Sequence, residues 1–453
     1  MADWTVERVV SLAPDAASAS AGQGLASLKK WTGVGRSERA LWGLCQGSGK
    51  DPYQARVDLS EPAFKCSCPS RKFPCKHGLG LMLLFAKDAA TFKIGSEPGW
   101  VADWLATRSE KAEKKAEKAE AAADKPVDVE AQARRAAQRE ARVTDGVASC
   151  RVWLDDVVKR GLAAAQVEDS SSWERTAARM VDAQAPGLAG MVRRIPAMIA
   201  SGPGWEVRTL AFLGRIHLLL CAAEQLAALP PDLAGDVRVA LGWNQPKEEV
   251  LAGPRVKDRW ATLAQIVEDE ERLKVRRTWL VGKATGQRAL ILDFAAGLAP
   301  LVASLVAGFE FDGEVAFYPG RAPLRALIAE RGEARALATE LGTAADASIE
   351  AGLRRFAVCL AANPWTARWP MALAGVRLIQ DGGAGGPWCL ADSDGAALPL
   401  RPSFCGGLGL WKLLSVSGGG PMTVLAEWDG EYAQPLSALT GDAYHDVAPR
   451  WAA

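Results

Sequence analysis

The period of the apolar positions changes along the chain, and each change marks a change of element. Ala40–Cys45 is a short apolar run closed by the turn residues Gly47, Ser48 and Gly49. Tyr53–Leu59 alternates apolar and polar positions. Both patterns predict strands, the second one half-buried because successive side chains point to opposite faces. Ser60-Glu61-Pro62 turns the chain into a third extended segment, Ala63–Cys68. Gly78–Ala86 is apolar on nearly every face, which predicts a short helix with neighbours all round.

Residues 107–143 are a different material. They are built largely from Ala, Glu, Lys and Arg, with no apolar stripe and with opposite charges three and four positions apart. This predicts a solvated, partly helical spacer interrupted at Pro126. Helix periodicity then dominates in Arg151–Arg160, in Arg175–Val181 after the start signal Ser170-Ser171-Ser172, in Thr209–Leu229 and in Arg259–Val275. From Trp279 the pattern turns to strands at Trp279–Gly282, Ala289–Phe294, Phe309–Phe311 and Val315–Tyr318, with a turn at Asp312-Gly313. Helices are expected again over Pro323–Leu360. Short apolar runs punctuated by Asp381-Gly382, Asp394-Gly395 and Asp429-Gly430 then suggest a small barrel or curled sheet. The uncharged stretch Phe294–Phe309 contains Pro300, is too short to span a bilayer and reads as a buried helix. The expected architecture is α+β and multidomain. Its parts are an N-terminal segment (1–39), a small β-β-α module (40–90), a charged helical spacer (91–144), a mainly helical middle (145–277) and a mixed, β-rich region ending in a small barrel-like unit (278–453).

Composition sharpens this picture. A chain of 453 residues exceeds what one hydrophobic core organises. Its 54 basic and 53 acidic side chains nearly cancel, so no whole-protein field draws it to nucleic acid or membrane. Three histidines exclude mechanisms that need several of them. The opening residues lack a basic segment followed by an apolar one, so no secretory signal is expected and the location implied is cytoplasmic. Thiols there stay reduced, and clustered cysteines become candidate metal ligands. The scattered Cys45, Cys150, Cys221, Cys359, Cys389 and Cys405 read as small core residues. His217, within the apolar Leu213–Leu220, reads as a satisfied core histidine, and His445 as a surface one. The 17 tryptophans read as core anchors of several domains, with Trp365 and Trp369 the pair to probe as a partner-binding surface.

One constellation carries chemistry. Cys66, Cys68, Cys75 and His77 place four soft or borderline ligands in a short span, and structural zinc is held tetrahedrally by such sets. Along a strand, Cys66 and Cys68 project from one face. Two residues of helix turn the chain by roughly 200°, so Cys75 must precede the helix and His77 must lie in its first turn. Four protein ligands leave no position for a reactive water, which makes a single Zn²⁺ ion structural. Three thiolates, a neutral imidazole and the ion leave a net negative charge beside Lys65, Arg71, Lys72 and Lys76. Two roles stay open for these cations: stabilising the thiolates, or contacting the phosphates of a nucleic acid. Elsewhere, Gly47–Asp51 fails as a phosphate loop because Leu44 stands where a glycine is required and Asp51 where Ser or Thr is. No other catalytic pattern is present, so the chain is not expected to be an enzyme, an unrecognised C-terminal active site being the least supported reading.

The pattern Cys66-x-Cys68-x6-Cys75-x-His77, after two strands and before an apolar helix, resembles the SWIM-type zinc finger. The resemblance covers residues 40–90 and implies a β-β-α zinc module that binds DNA or protein. A finger near the N-terminus, a charged linker and a long C-terminal region also resemble bacterial SWIM proteins encoded beside MoxR-type AAA+ ATPases and von Willebrand factor A-domain proteins. That resemblance implies a protein-interaction or adaptor role with a partner of one of those kinds, and no membrane. DNA binding through the basic zinc loop is the alternative.

Overall fold

The computed structural model describes residues 4–448 apart from 11, 14–15, 48–50, 61–62, 71, 111–128, 167–168, 244, 271–272, 297–304, 384 and 442. Three units follow one another along the chain. The first contains α1 (Val6–Val10), α2 (Ala16–Leu25), β1 (Trp31–Arg36), β2 (Ala40–Cys45), β3 (Tyr53–Asp58), β4 (Ala63–Cys66), α3 (Lys76–Lys87), β5 (Lys93–Ile94) and α4 (99–110). Its strands form one sheet in the order β4-β3-β2-β1-β5. Helix α3 packs Leu79, Leu81 and Leu83 into a core with Leu41, Ala55, Val57 and Phe64. Every residue from His77 to Phe85 is buried, because the sheet lies on one side of α3 and α1 and α2 lie on the other. The residues before the first predicted strand therefore belong to the module, where α2 and β1 supply a wall and a strand.

The crossing of α2 and α3 is set by glycine. A Cβ on Gly80 would lie 2.6 Å from Leu25 Cβ and 3.2 Å from the Gly22 carbonyl oxygen. The two helix backbones approach only because that atom is missing. Gly80→Ala is expected to lower stability by about 1–3 kcal/mol through overpacking. A denaturant midpoint for the first unit equal to the parent's would sink this account of the crossing.

The second unit is helical: α5 (Val129–Arg160), α6 (Leu162–Gln166), α7 (Ser170–Asp182), α8 (Pro186–Ile199), α9 (Trp205–Glu224), α10 (Pro231–Leu241) and α11 (Lys247–Ala252). Its core draws Cys150, Leu154, Trp173, Met180, Val192, Ile195, Phe212 and Ile216 from four of these helices. The third unit holds two sheets. Strands β6 (Arg255–Glu270), β7 (Leu273–Gly282), β8 (Arg288–Ala296), β9 (Phe309–Phe317), β10 (Ala326–Arg331) and β11 (Arg335–Ala336) form one, in the order β10-β9-β6-β7-β8 with β11 on β9. After α12 (Ile349–Ala362) come β12 (Trp369–Gln380), β13 (Trp388–Ala391), β14 (Ala397–Pro399), α13 (Pro402–Cys405), α14 (Leu408–Ser417), β15 (Met422–Trp428), β16 (Ala433–Thr440) and β17 (Ala443–Asp446). Their order is β14-β13-β12-β15-β16-β17. This second sheet curls until Leu400, just past β14, bridges Ala433 of β16. The sheets share a core in which Ala261, Leu263 and Trp279 meet Ala372, Leu425 and Leu436.

Several expectations are corrected here. Arg259–Val275 is not helix but parts of two long paired strands, β6 and β7. Its charges do not form a solvated helix face: Glu268 of β6 bonds Arg277 of β7, which is 8% exposed and also bonds Glu427. Of Pro323–Leu360 only α12 is α-helical, since Ala326–Arg331 pairs with β9. Phe294 and Phe309 lie in strands, and residues 297–304 between them lie outside the described residues. Much of the charged spacer, including Pro126, also lies outside them, but α4 and α5 occupy its flanks. Trp365 and Trp369 form no free surface. Trp365 packs on the helical core and donates to the Arg215 carbonyl (3.3 Å), while Trp369 is buried beside Phe356. No helix among the described residues is long and apolar enough to cross a membrane.

Candidate metal centre

Each ligand is positioned by local structure. Cys66 ends β4, and Ser67 continues the ladder: its N–H donates to the Gln54 carbonyl (3.1 Å) and its hydroxyl accepts from the Gln54 N–H (2.9 Å). With Ser67 held to β3, Cys66 and Cys68 flank it on one face. The loop returns through Phe73, edge-on to Phe64 at 6.3 Å, and the buried Pro74. Cys75 occupies the N-cap of α3 in extended conformation, and His77 lies in the first turn. The ligand atoms of Cys66, Cys68, Cys75 and His77 all lie within 4.8 Å of one another, and Cys66 Sγ is 3.8 Å from His77 Nδ1. Zinc bonds of about 2.3 Å to sulfur and 2.0 Å to nitrogen require separations of this size. Cys75 and His77 are buried, and the Tyr53 ring covers the imidazole with centroids 4.9 Å apart.

The three sulfurs are not equivalent acids. A hydrogen bond from Cys66 holds the Cys75 thiol down to about 4, with His77 and the Gly78 N–H adding to the effect. The same contact, together with burial, pushes Cys66 up. Cys68 is also raised, chiefly by burial. A donor set with one ready thiolate and two thiols suits a divalent ion that displaces the remaining protons. It is a closed Cys3His set for one structural zinc ion.

Lys65, Lys72 and Lys76 are exposed around the centre, while Arg71 lies outside the described residues. The remaining histidines are elsewhere. His217 is exposed on α9, where Arg151 donates to its Nδ1 (2.8 Å) and Cys221 Sγ lies 3.5 Å from its Nε2, so it is not a core residue. His445 is half-buried on β17, 2.8 Å from the Thr440 hydroxyl. Of the scattered cysteines, Cys45, Cys150, Cys359 and Cys389 are buried, whereas Cys221 and Cys405 are only partly so. One surface feature escaped the sequence reading. Leu408 and Trp411 on α14 are 85% and 67% exposed, turned away from the Leu410 and Leu413 side that enters the core. Each pair is spaced i,i+3, and the two-residue offset between them, roughly 200° around the helix, is the signal that finds it.

Comparison with known families gives two matches. Residues 56–85, which contain all four ligands, match the SWIM zinc finger. Residues 138–241 match the SWIM-associated four-helix bundle domain, a span that begins within α5 and ends with α10. No curated protein and no solved structure matches the chain.

Proposed function

Taking the chain as a SWIM-type zinc finger protein that also carries a SWIM-associated four-helix bundle domain, we propose that it is a non-enzymatic adaptor that holds a protein partner. The observation that carries this reading is the exposed pair Leu408 and Trp411. Among the described residues Trp411 is the one exposed tryptophan, and a large aromatic left in water beside a leucine is the mark of an interaction hot spot. The zinc centre supports the non-enzymatic part, because its shell is filled by protein. The partner kinds are those the resemblance implies, a MoxR-type AAA+ ATPase or a von Willebrand factor A-domain protein.

A nucleic-acid role draws on Lys65, Lys72 and Lys76, exposed beside a centre of net negative charge. With Arg71 of the same loop the cations number four, a small phosphate footprint. Among the described residues of the loop, Phe73 is a single exposed ring, edge-on to Phe64 at 6.3 Å, and not a stacking series.

Capture from the native host separates the two. The intact protein is expected to retain an AAA+ ATPase or A-domain protein, and Leu408→Ser with Trp411→Ala is expected to weaken that binding about 30-fold or more. A DNA mobility shift that vanishes in Lys65→Ala/Lys72→Ala/Lys76→Ala and weakens steeply with salt, with no partner captured, would move the assignment to nucleic acid.

A further inference from the structure

The outer face of the zinc-module sheet holds a cation with no carboxylate partner among the described residues. Arg56 on β3 sits opposite Trp42 of β2 and Lys65 of β4, whereas its neighbour Ala55 sits opposite Cys66. Alternation along the strand therefore puts Arg56 on the face away from α3 and the zinc ligands, with only the thickness of the sheet between them. Helix α4 covers that face, packing Val101, Trp104 and Leu105 on Ala40 and Trp42. The Arg56 guanidinium lies 5.1 Å from the Trp100 ring centroid and 5.7 Å from that of Trp104. Arg56 is 8% exposed, and its Nε and Nη1 have no hydrogen-bond partner.

A buried guanidinium needs compensating negative charge. The carboxylate on the same strand and face, Asp58, is already taken: it accepts from Arg39 (3.5 Å), Arg108 (3.3 Å) and the Ser60 hydroxyl (2.6 Å). An outside phosphate is blocked by the tryptophans of α4. Two aromatic faces offer Arg56 quadrupole attraction, which leaves its net charge unbalanced. What remains is the zinc centre, where three thiolates and a neutral imidazole around a divalent ion sum to a single negative charge. Burial lowers the basicity of Arg56, and Cys66 is the group that opposes this.

We propose that Arg56 is the built-in counter-cation of the zinc centre, shielded from water by Trp100 and Trp104 of α4, so that zinc binding and the docking of α4 stabilise each other. Arg56 touches no ligand and acts as a positioning residue through the field it sets at the thiolates. The desolvation imposed by the two rings makes that field effective. Linkage is reciprocal: whatever hydrates Arg56 weakens zinc, and loss of zinc leaves Arg56 an uncompensated buried charge that favours release of α4. This holds whether the protein takes a protein partner or a nucleic acid.

The test is competition for zinc between the full chain and a chromophoric chelator. Arg56→Met, nearly isosteric and neutral, is expected to weaken zinc about ten-fold, the range found when groups just outside a metal's ligands are removed. Arg56→Lys is expected to recover most of the loss, which a packing role would not allow. Absorption of the cobalt(II)-substituted protein should stay that of a tetrahedral thiolate site, showing that no ligand has left. Trp100→Ala with Trp104→Ala, which wets Arg56, is expected to weaken zinc by a similar factor, and adding Arg56→Met should then change little. Zinc affinity of Arg56→Met within two-fold of the parent overturns the proposal, as does full additivity with the tryptophan variant. Should Arg56→Met fail to fold, the lysine and tryptophan variants decide the matter on the same readout.

Discussion

Withdrawing zinc with a chelator, or replacing Cys66 with serine, is expected to unfold the first unit and leave the helical unit folded. The first unit joins its sheet to α3 through a modest core in which Leu41, Val57, Phe64, Leu79 and Leu83 are central. The stretch that joins β4 to α3, residues 66–77, buries only Pro74, Cys75 and His77 among its described residues and relies on the ion for reinforcement. Zinc supplies on the order of 10 kcal/mol to such a site, more than the whole net stability of many domains. It also fixes the two places where the module would open first, the end of β4 and the start of α3, because Cys66 and Cys68 lie at one and Cys75 and His77 at the other. Hydrogen exchange read by peptide is the check. After chelation, protection should vanish over 31–87 and persist over 147–220, whose core contains no residue of the first unit. Some loss is also expected around Phe309, which packs on Trp4 and lies under the Arg8 guanidinium. Unchanged protection in β2, β3 and α3 after zinc removal would mean that the apolar core alone holds the module.

The second large effect is expected at Asp346, far from the metal. Its carboxylate is fully buried and accepts two bonds from Arg288 Nη2 (3.1 and 3.0 Å) and one from the Ala372 N–H (2.8 Å), with Arg355 Nη1 at 3.3 Å. Its backbone exchanges bonds with β12, donating to the Ala372 carbonyl (2.6 Å) and accepting from the Ala374 N–H (3.0 Å). One residue thereby ties β8 of the first large sheet, helix α12 and β12 of the second. Asp346→Ala removes the anion and leaves Arg288, itself 4% exposed, charged and unpaired in the interior. Breaking one side of a buried pair costs about 3–5 kcal/mol, nearly all of it from the stranded partner. For a unit of this size the melting temperature of the third unit should fall by roughly 10 °C. Replacing both partners, Asp346→Leu with Arg288→Met, should recover much of the loss, because apolar replacements of similar shape leave no stranded charge. A single variant as stable as the parent would show that water reaches Arg288 and that the pair contributes little.

The zinc ligands were legible because every step that places them is local. A strand sends Cys66 and Cys68 to one face, and a helix start sets Cys75 and His77 a fixed rotation apart. No distant residue is needed to predict that geometry. The apolar α3 was legible for a related reason, since a segment with no polar face must be covered on all sides. Strand β6 and the first part of β7 were not legible, although the end of β7, Trp279–Gly282, was read as a strand. Their charges look solvated in sequence, and only the partners that arrive from other strands, Asp293 for Arg276 and Glu268 with Glu427 for Arg277, make it possible to bury the two arginines. His217 was misplaced because hydrophobic neighbours in sequence do not say which side of a helix meets the core. The role of Trp365 was hidden for the same reason.

The sequence by itself determined the metal, its ligands, its structural character and the mixed class of the fold. All of these follow from residue chemistry and from spacings of a few residues. Tertiary structure alone decided which charges are inside. It set Arg56 between Trp100 and Trp104, gave Arg288 to Asp346 and left Trp411 in water. The physical reason is that the free energy of a charge or an aromatic ring depends on what covers it, and the covering groups come from parts of the chain that no local pattern connects.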